Sequence, residues 1–353
     1  MALAAFAVET THRVHLGDAR RLGGVAPGSV DLVVTSPPYP MVAMWDDAFA
    51  AMSPAAANAL ANGDGPAAFE AMHRELDQVW AACVEALRPG GLLCINIGDA
   101  TRTVDGTFRL YPNHARILQA ALALGLDVLP ELLWRKTTNA PTKFMGSGML
   151  PAGAYVTLEH EFVLVLRKGG KRAFTTAAQR ADRQRSAIFW EERNQWFSDL
   201  WDLKGERQEL DDPDVARRSA AFPYELPFRL IAMHSVAGDT VLDPFAGTGT
   251  TQAAAMGLAR HSIGFELDPA VHKLAVRRLA SAKDEANART QTRLAQHKAF
   301  VARRHADDKE LGHANAAYGP VMTSQERQLR LLAVDKVAKD GADGVRCTHK
   351  ALA

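Results

Sequence analysis

Cysteine is scarce in this 353-residue chain. Cys83, Cys94 and Cys347 are too few for a disulfide framework and lack the CxxC or Cys/His spacing of a zinc site, so no metal is expected. No apolar run approaches the roughly 20 residues a membrane span needs. The opening MALAAFAVETTHRV has no basic start followed by a long apolar stretch, so the chain reads as cytoplasmic, with no membrane association. A dominant charge is missing as well. The 41 basic residues face 40 acidic ones, so affinity for a polyanion has to come from local clustering. With 47% hydrophobic and 23% charged residues, the composition is globular and excludes disorder or a collagen-like fibre.

What is present is an alternation of strand and helix. Apolar runs at Asp31–Thr35, Leu92–Ile97, Val128–Trp134, Phe162–Leu166, Thr240–Asp243 and Ser262–Glu266 read as strands buried on both faces. Phe69, Met72, Leu76, Val79, Trp80, Cys83 and Leu87 recur at three-and-four spacing and predict a helix over 68–88, stopped by Pro89-Gly90-Gly91. Asp268-Pro269 has the cap and first-turn chemistry for a helix through Leu279. The pattern predicts an α/β fold, a doubly wound, mostly parallel sheet. Residues 135–160 read as a long loop, 167–221 as a polar insertion containing Trp190, Trp196 and Trp201, and 283–353 as a helical C-terminal extension, helical through about Arg304. The expected segments are therefore 1–166, 167–221, 222–282 and 283–353.

Two motifs carry chemistry. In Thr240-Val-Leu-Asp-Pro-Phe-Ala-Gly-Thr-Gly-Thr-Thr251 a strand runs into a glycine turn and then a helix, whose first N–H groups would face a ligand. Glu266, nineteen residues after Gly247 at the end of the next strand, suits the two hydroxyls of a ribose. No Lys follows Gly249 as a P-loop requires, and Gln252 stands where a dinucleotide fingerprint has its third glycine. The second motif is Ser36-Pro37-Pro38-Tyr39, which ends a buried strand in an extended turn. The Ser36 hydroxyl and the Pro37 carbonyl could each accept a hydrogen bond from a planar amino-bearing base, with Tyr39 offering a ring to stack on.

On these residues the chain resembles, over roughly residues 12 to 282, the beta-group amino DNA methyltransferases of the cytosine-N4 or adenine-N6 type. Ser-Pro-Pro-Tyr comes first and the glycine turn last, the permuted order of that group. Gly17-Asp18, Leu87-Arg-Pro-Gly-Gly-Leu92 and Ala221-Phe-Pro-Tyr-Glu-Leu-Pro-Phe-Arg-Leu-Ile231 match its remaining landmarks. The resemblance implies a Rossmann-like methyltransferase fold, S-adenosyl-L-methionine as cofactor and catalysis by Ser36, Pro37, Pro38 and Tyr39. It implies cofactor contacts from Asp18 and Pro223, from Asp243, Pro244, Phe245, Ala246, Gly247, Thr248, Gly249, Thr250 and Thr251, and from Glu266 and Leu267. Ser-Pro-Pro-Tyr occurs more often in the cytosine-N4 enzymes, which makes adenine-N6 the alternative. An RNA methyltransferase and a catalytically silent DNA-binding relative stand behind it. Carbon-5 chemistry would need a cysteine nucleophile, and all three cysteines read as structural.

The expected substrate is double-stranded DNA with its target base flipped out, in a restriction-modification system with an endonuclease partner. Residues 167–193 hold eight basic residues against three acidic ones. Lys168, Lys171, Arg172, Arg180, Arg183 and Arg185 are the expected DNA contacts. The extension from Lys283 carries 13 basic and 9 acidic residues, and DNA, a second copy in a homodimer, or neither are open as its partner.

Overall fold

Val33, Leu93 and Leu164 pack on one face of a sheet, Leu32, Val34, Cys94 and Val165 on the other, and all are shut off from solvent. Burial on both faces is what strands without apolar/polar alternation require. The computed structural model describes residues 7–136, 146–205 and 222–352.

The parallel centre of the sheet comprises β1 (Ala7–Leu16), β2 (Val30–Thr35), β3 (Leu87–Ile97), β10 (Thr240–Asp243) and β11 (His261–Glu266), in the spatial order β1-β11-β10-β2-β3. Beyond β3 lie β8 (His160–Lys168), antiparallel to it, then β7 (Leu132–Arg135) and β9 (Leu200–Asp202), with β6 (Leu126–Val128) also on β8. The expected strand over Val128–Trp134 is thus two short strands meeting the same neighbour. Helices Gly65–Ala86 and Asn113–Ala123 cover one face, and helices Glu225–His234, Thr250–Gly257 and Pro269–Ser281 the other. Asp268 caps the last of these by accepting from the Ala270 and Val271 N–H groups.

Three segments differ from expectation. Pro89-Gly90-Gly91 does not merely stop the helix. The helix ends at Ala86, and β3 begins at Leu87 and runs through the glycines. Gly90 holds φ +80°, and a Cβ there would lie 2.8 Å from the Arg172 backbone nitrogen. β1 carries no apolar run because two of its three buried positions are polar, Val14 being the third. Thr10 and His12 are fully enclosed and bond to each other at 2.8 Å, to His349 at 2.8 Å and to Ser262 at 2.8 Å.

The third difference is the C-terminal region, where the expected helical extension is corrected. One helix, Lys283–Ala306, is followed by β12 (His313–Asn315), β13 (Gly319–Val321), β14 (Leu332–Lys339) and β15 (Gly344–Ala351). β15 pairs antiparallel with β1 and β14 with β15, so this segment extends the central sheet. Short, half-polar strands give no distinctive period. The part of the 167–221 insertion from 206 on lies outside the described residues. Its preceding part packs Trp196 and Trp201 into the core, and buried Glu192 grips Arg293 of helix Lys283–Ala306 through two bonds of 2.6 and 2.8 Å.

Candidate active site

At the carboxyl end of β10 the glycine turn takes left-handed backbone, φ +52° at Gly247 and +83° at Gly249, before helix Thr250–Gly257 starts. Gln252 is fully buried behind it, and Gly264 of β11 makes room. A Cβ at Gly264 would stand 2.6 Å from the Gln252 amide nitrogen. Glu266 accepts from the Gly247 N–H at 3.0 Å and from the Asp268 N–H at 2.8 Å. Burial pushes its carboxyl up to about 7.

Asp243 ties the two motifs together. Its carboxylate accepts from the Thr35 hydroxyl at 2.6 Å and from the Phe245 N–H at 3.0 Å. Thr35 is the last residue of β2 and Ser36 follows it, so one buried contact fixes the glycine turn relative to the Ser-Pro-Pro-Tyr turn. Burial raises Asp243 to about 6.

Between the turns lies a cavity of about 460 Å³. Ser36 and Pro38 line one side. Asp243 to Thr248, Thr250, Glu266 and Leu267 line the other, with Asp18 and Phe222 closing it. Pro37, Tyr39, Pro223, Gly249 and Thr251 do not form its wall. Sequence reading missed the wall's other contributors. Arg20 bonds Asp18 at 2.6 Å and Glu75 at 2.6 Å, and both partners also face the cavity. The Arg20 bond holds the Asp18 carboxyl below its ordinary range. Met44 and Trp45, just past the proline turn, supply apolar wall. The only available signal was the spacing of Asp18 and Arg20 in the loop after β1.

Behind Ser36 lies a polar cluster that the sequence did not announce. Tyr39 O–H donates to Glu161 Oε2 at 2.8 Å and lies 3.1 Å from Ser36 Oγ. Asn96 Nδ2 donates to Tyr39 at 2.8 Å and to Glu161 at 2.7 Å, and the Lys136 ammonium pairs with Glu161 Oε1. Burial, and after it the Glu161 charge, push the Tyr39 phenol well above its ordinary range. Asn96 is the penultimate residue of β3, Glu161 the second of β8, and Lys136 follows β7, so three strands converge on the Glu161 carboxylate.

The six basic residues of the insertion are placed elsewhere. β8 runs antiparallel to β3 with Arg167 opposite Leu92, so the chain after it emerges beside the amino ends of the parallel strands. Lys168 donates to the Val84 and Leu87 carbonyls at 2.6 Å. Arg172 pairs with Asp239, which precedes β10, at 2.5 Å, and Arg172 and Arg183 both cover the Phe174 ring. Arg180 donates to the Thr175 carbonyl at 2.6 Å, and Arg185 pairs with Asp182. Lys171, between Gly170 and Arg172, is exposed at the same rim. The cavity is at the opposite rim, about 20 Å away by the length of a six-residue strand. Cys83, Cys94 and Cys347 are buried and free, and none faces the cavity. Among the described residues no cluster of His, Cys, Asp or Glu could hold a metal, and no helix is long and apolar enough to cross a membrane.

Known DNA methylases are similar to this chain. A family model described as DNA methylase matches residues 30–277. The chain is 45% identical over 327 residues to the type II methyltransferase M.MthZI of Methanothermobacter thermautotrophicus, covering 92% of this chain and 91% of that one. It is 44% identical over 272 residues to M.MjaI of Methanocaldococcus jannaschii, covering 74% and 88%. Among solved structures, a protein described as a DNA modification methylase from Thermus thermophilus, complexed with S-adenosyl-L-methionine, aligns with a TM-score of 0.60 at 34% identity, covering 77% of this chain and 94% of that one. With the matched span running from the first residue of β2 into helix Pro269–Ser281, and so enclosing both turns, the chain belongs to the N6/N4 DNA methylase family.

Proposed function

We propose that this protein transfers a methyl group from S-adenosyl-L-methionine to the N4 amine of a cytosine flipped out of duplex DNA, as the modification enzyme of a type II restriction-modification system. The observation that carries the reading is the single cavity shared by Ser36 and the glycine turn. Its residues suit the cofactor. Glu266 is a carboxylate in the cavity wall beside the glycine turn, suited to ribose hydroxyls, Phe222 and Phe245 offer apolar walls, and Asp18 is an acceptor for an adenine amine. When bound there, S-adenosyl-L-methionine supplies an electrophilic methyl group on a positively charged sulfur.

The rest is positioning by this chain's own residues. A ring-conjugated amine is a poor nucleophile because its lone pair is delocalised. Ser36 Oγ, in the cavity wall, would accept one of its N–H bonds and the Pro37 carbonyl, next to that wall, the other, which turns the nitrogen lone pair toward the methyl donor. Holding the partners in line is worth several kcal/mol, on the order of 7–11 in well-oriented systems. The first position of the turn, serine, favours cytosine by resemblance to the N4 enzymes. Adenine-N6 is the second reading, because either base presents an amine to the same two acceptors.

Duplex DNA would approach the cavity rim. There β4 (Ala100–Val104) and β5 (Thr107–Tyr111) form a hairpin directly after β3, with Arg109 exposed. Phe108 stacks on Tyr155 at 4.9 Å, and Leu110, Met149, Leu150 and Val156 are exposed as well. Exposed apolar side chains beside a base-flipping site suit contact with the unstacked duplex. The test is digestion to nucleosides after incubation with DNA and labelled cofactor. N4-methylcytosine is expected, N6-methyladenine would support the second reading, and neither on diverse DNA would overturn both.

A further inference from the structure

The cluster behind Ser36 has a direction. A carboxylate can only accept, so the Tyr39 proton points at Glu161 Oε2, 2.8 Å away. The Asn96 amide nitrogen faces both Glu161 and Tyr39, at 2.7 and 2.8 Å, and must be the NH2 group, because its carbonyl oxygen there would meet a carboxylate. Tyr39 therefore spends its one proton on Glu161 and receives one bond from Asn96. At 3.1 Å from Ser36 Oγ, its remaining lone pair can only be satisfied by the Ser36 proton. The chain of donors runs Ser36 to Tyr39 to Glu161, and Lys136 closes it at Glu161 Oε1. With its proton committed inward, Ser36 presents lone pairs outward, which is what an incoming amine needs.

We propose that Glu161 is a positioning residue for methyl transfer: acting through Tyr39, it fixes Ser36 as an acceptor and takes up the proton the amine releases. The proposal rests on the amine-methylation reading given above. Once the nitrogen carries its new methyl group it holds one proton too many. That N–H bond breaks and its electron pair returns to nitrogen. The proton binds Ser36 Oγ as the Ser36 proton passes to Tyr39 Oη, and the Tyr39 proton passes to Glu161. The side chains other than Glu161 end as they began, and Glu161 ends as a neutral acid beside Lys136. Gly98 permits the arrangement. A Cβ there would stand 3.0 Å from the Tyr39 ring and 3.2 Å from Glu161 Cγ.

Glu161→Gln is the informative variant, because an amide turned to donate toward Tyr39 reverses the chain and makes Ser36 a donor. Single-turnover methylation at saturating DNA and cofactor should fall about 100-fold or more, while the dissociation constants for DNA and for S-adenosyl-L-methionine stay within about two-fold and the melting profile stays cooperative. Glu161→Asp, which keeps an acceptor, should recover part of the rate. Tyr39→Phe should lose as much as Glu161→Gln, and the double variant no more than either, since the two act as one unit. A Glu161→Gln enzyme that turns over at the wild-type rate overturns the proposal, as does a double variant whose losses multiply. If affinity for both ligands falls in step with rate, Glu161 is merely structural and the proposal also fails. A wild-type protein that methylates no DNA overturns the functional reading itself, a result distinct from an active wild type with an equally active variant.

Discussion

Glu266 is held in a way that sets ligand-free stability against cofactor binding, and Glu266→Gln exposes the conflict. Its carboxyl ordinarily titrates at 4.5 and burial moves it to about 7. That gap corresponds to a penalty of about 3 kcal/mol on the ionised form in the folded, empty protein. Because the folded value is raised, this group's contribution to stability is fully present below about 4.5 and is lost as pH rises through about 7. Buried His12, held down to about 3, and His349, held down to about 4, act in the opposite sense, since their contribution is lost as pH falls. The overall pH dependence therefore mixes signs, and the readout is the difference between variant and parent. Urea unfolding of ligand-free protein at about pH 5 and about pH 8 should show the variant gaining about 2.5 kcal/mol relative to the parent between the two conditions. Absolute stability is not the readout, because one amide oxygen replaces two carboxylate oxygens that serve two N–H donors. The same variant should bind S-adenosyl-L-methionine about 10- to 100-fold more weakly at the higher pH, the worth of a charged hydrogen bond to a ribose hydroxyl. A pH-independent stability difference would show that Glu266 is not desolvated, and undiminished affinity would remove it from the cofactor's site.

Other consequences can be checked separately. Gly98→Ala should slow methyl transfer with cofactor affinity unchanged, because the added Cβ meets the Tyr39 ring at 3.0 Å; comparing single-turnover rates with binding titrations separates the two. Glu192→Ala strands the buried Arg293 guanidinium and should cost about 3–5 kcal/mol in chemical unfolding, where a loss under 1 kcal/mol would argue against that ion pair. Arg109→Ala should weaken DNA binding and reduce its salt dependence by about one counterion, whereas Arg172→Ala, at the other rim, should leave DNA affinity unchanged in the same titration.

The parallel strands are legible in the sequence because they are buried on both faces and therefore unbroken apolar runs. Thr240–Asp243 coincides with β10 to the residue. The two turns are legible because backbone demands, left-handed φ at Gly247 and Gly249 and locked φ at Pro37 and Pro38, leave few residue types to choose from. β1 is not, because beside Val14 its enclosed positions are Thr10 and His12, satisfied by partners 339 and 250 residues away that no local pattern reveals. Glu161, Asn96 and Lys136 escape for the same reason. Each is an ordinary polar residue at a strand end, and only sheet order brings β3, β7 and β8 together. The cluster of arginines after β8 points the other way. Local charge is visible, but not that Asp239 and Asp182 consume it or that an antiparallel strand carries it to the far rim.

The hairpin of β14 and β15 gives the molecule a vulnerability in time. Residues 344–350 pair with residues 7–13, so β1 waits for a partner made much later, with Thr10 and His349 339 residues apart. While a ribosome is still at work on the intervening chain, β1 has one ladder edge uncovered, and Thr10 lacks its His349 partner. Nascent or truncated forms that stop short of β15 would carry that open edge into the cell, where unpaired edges invite aggregation.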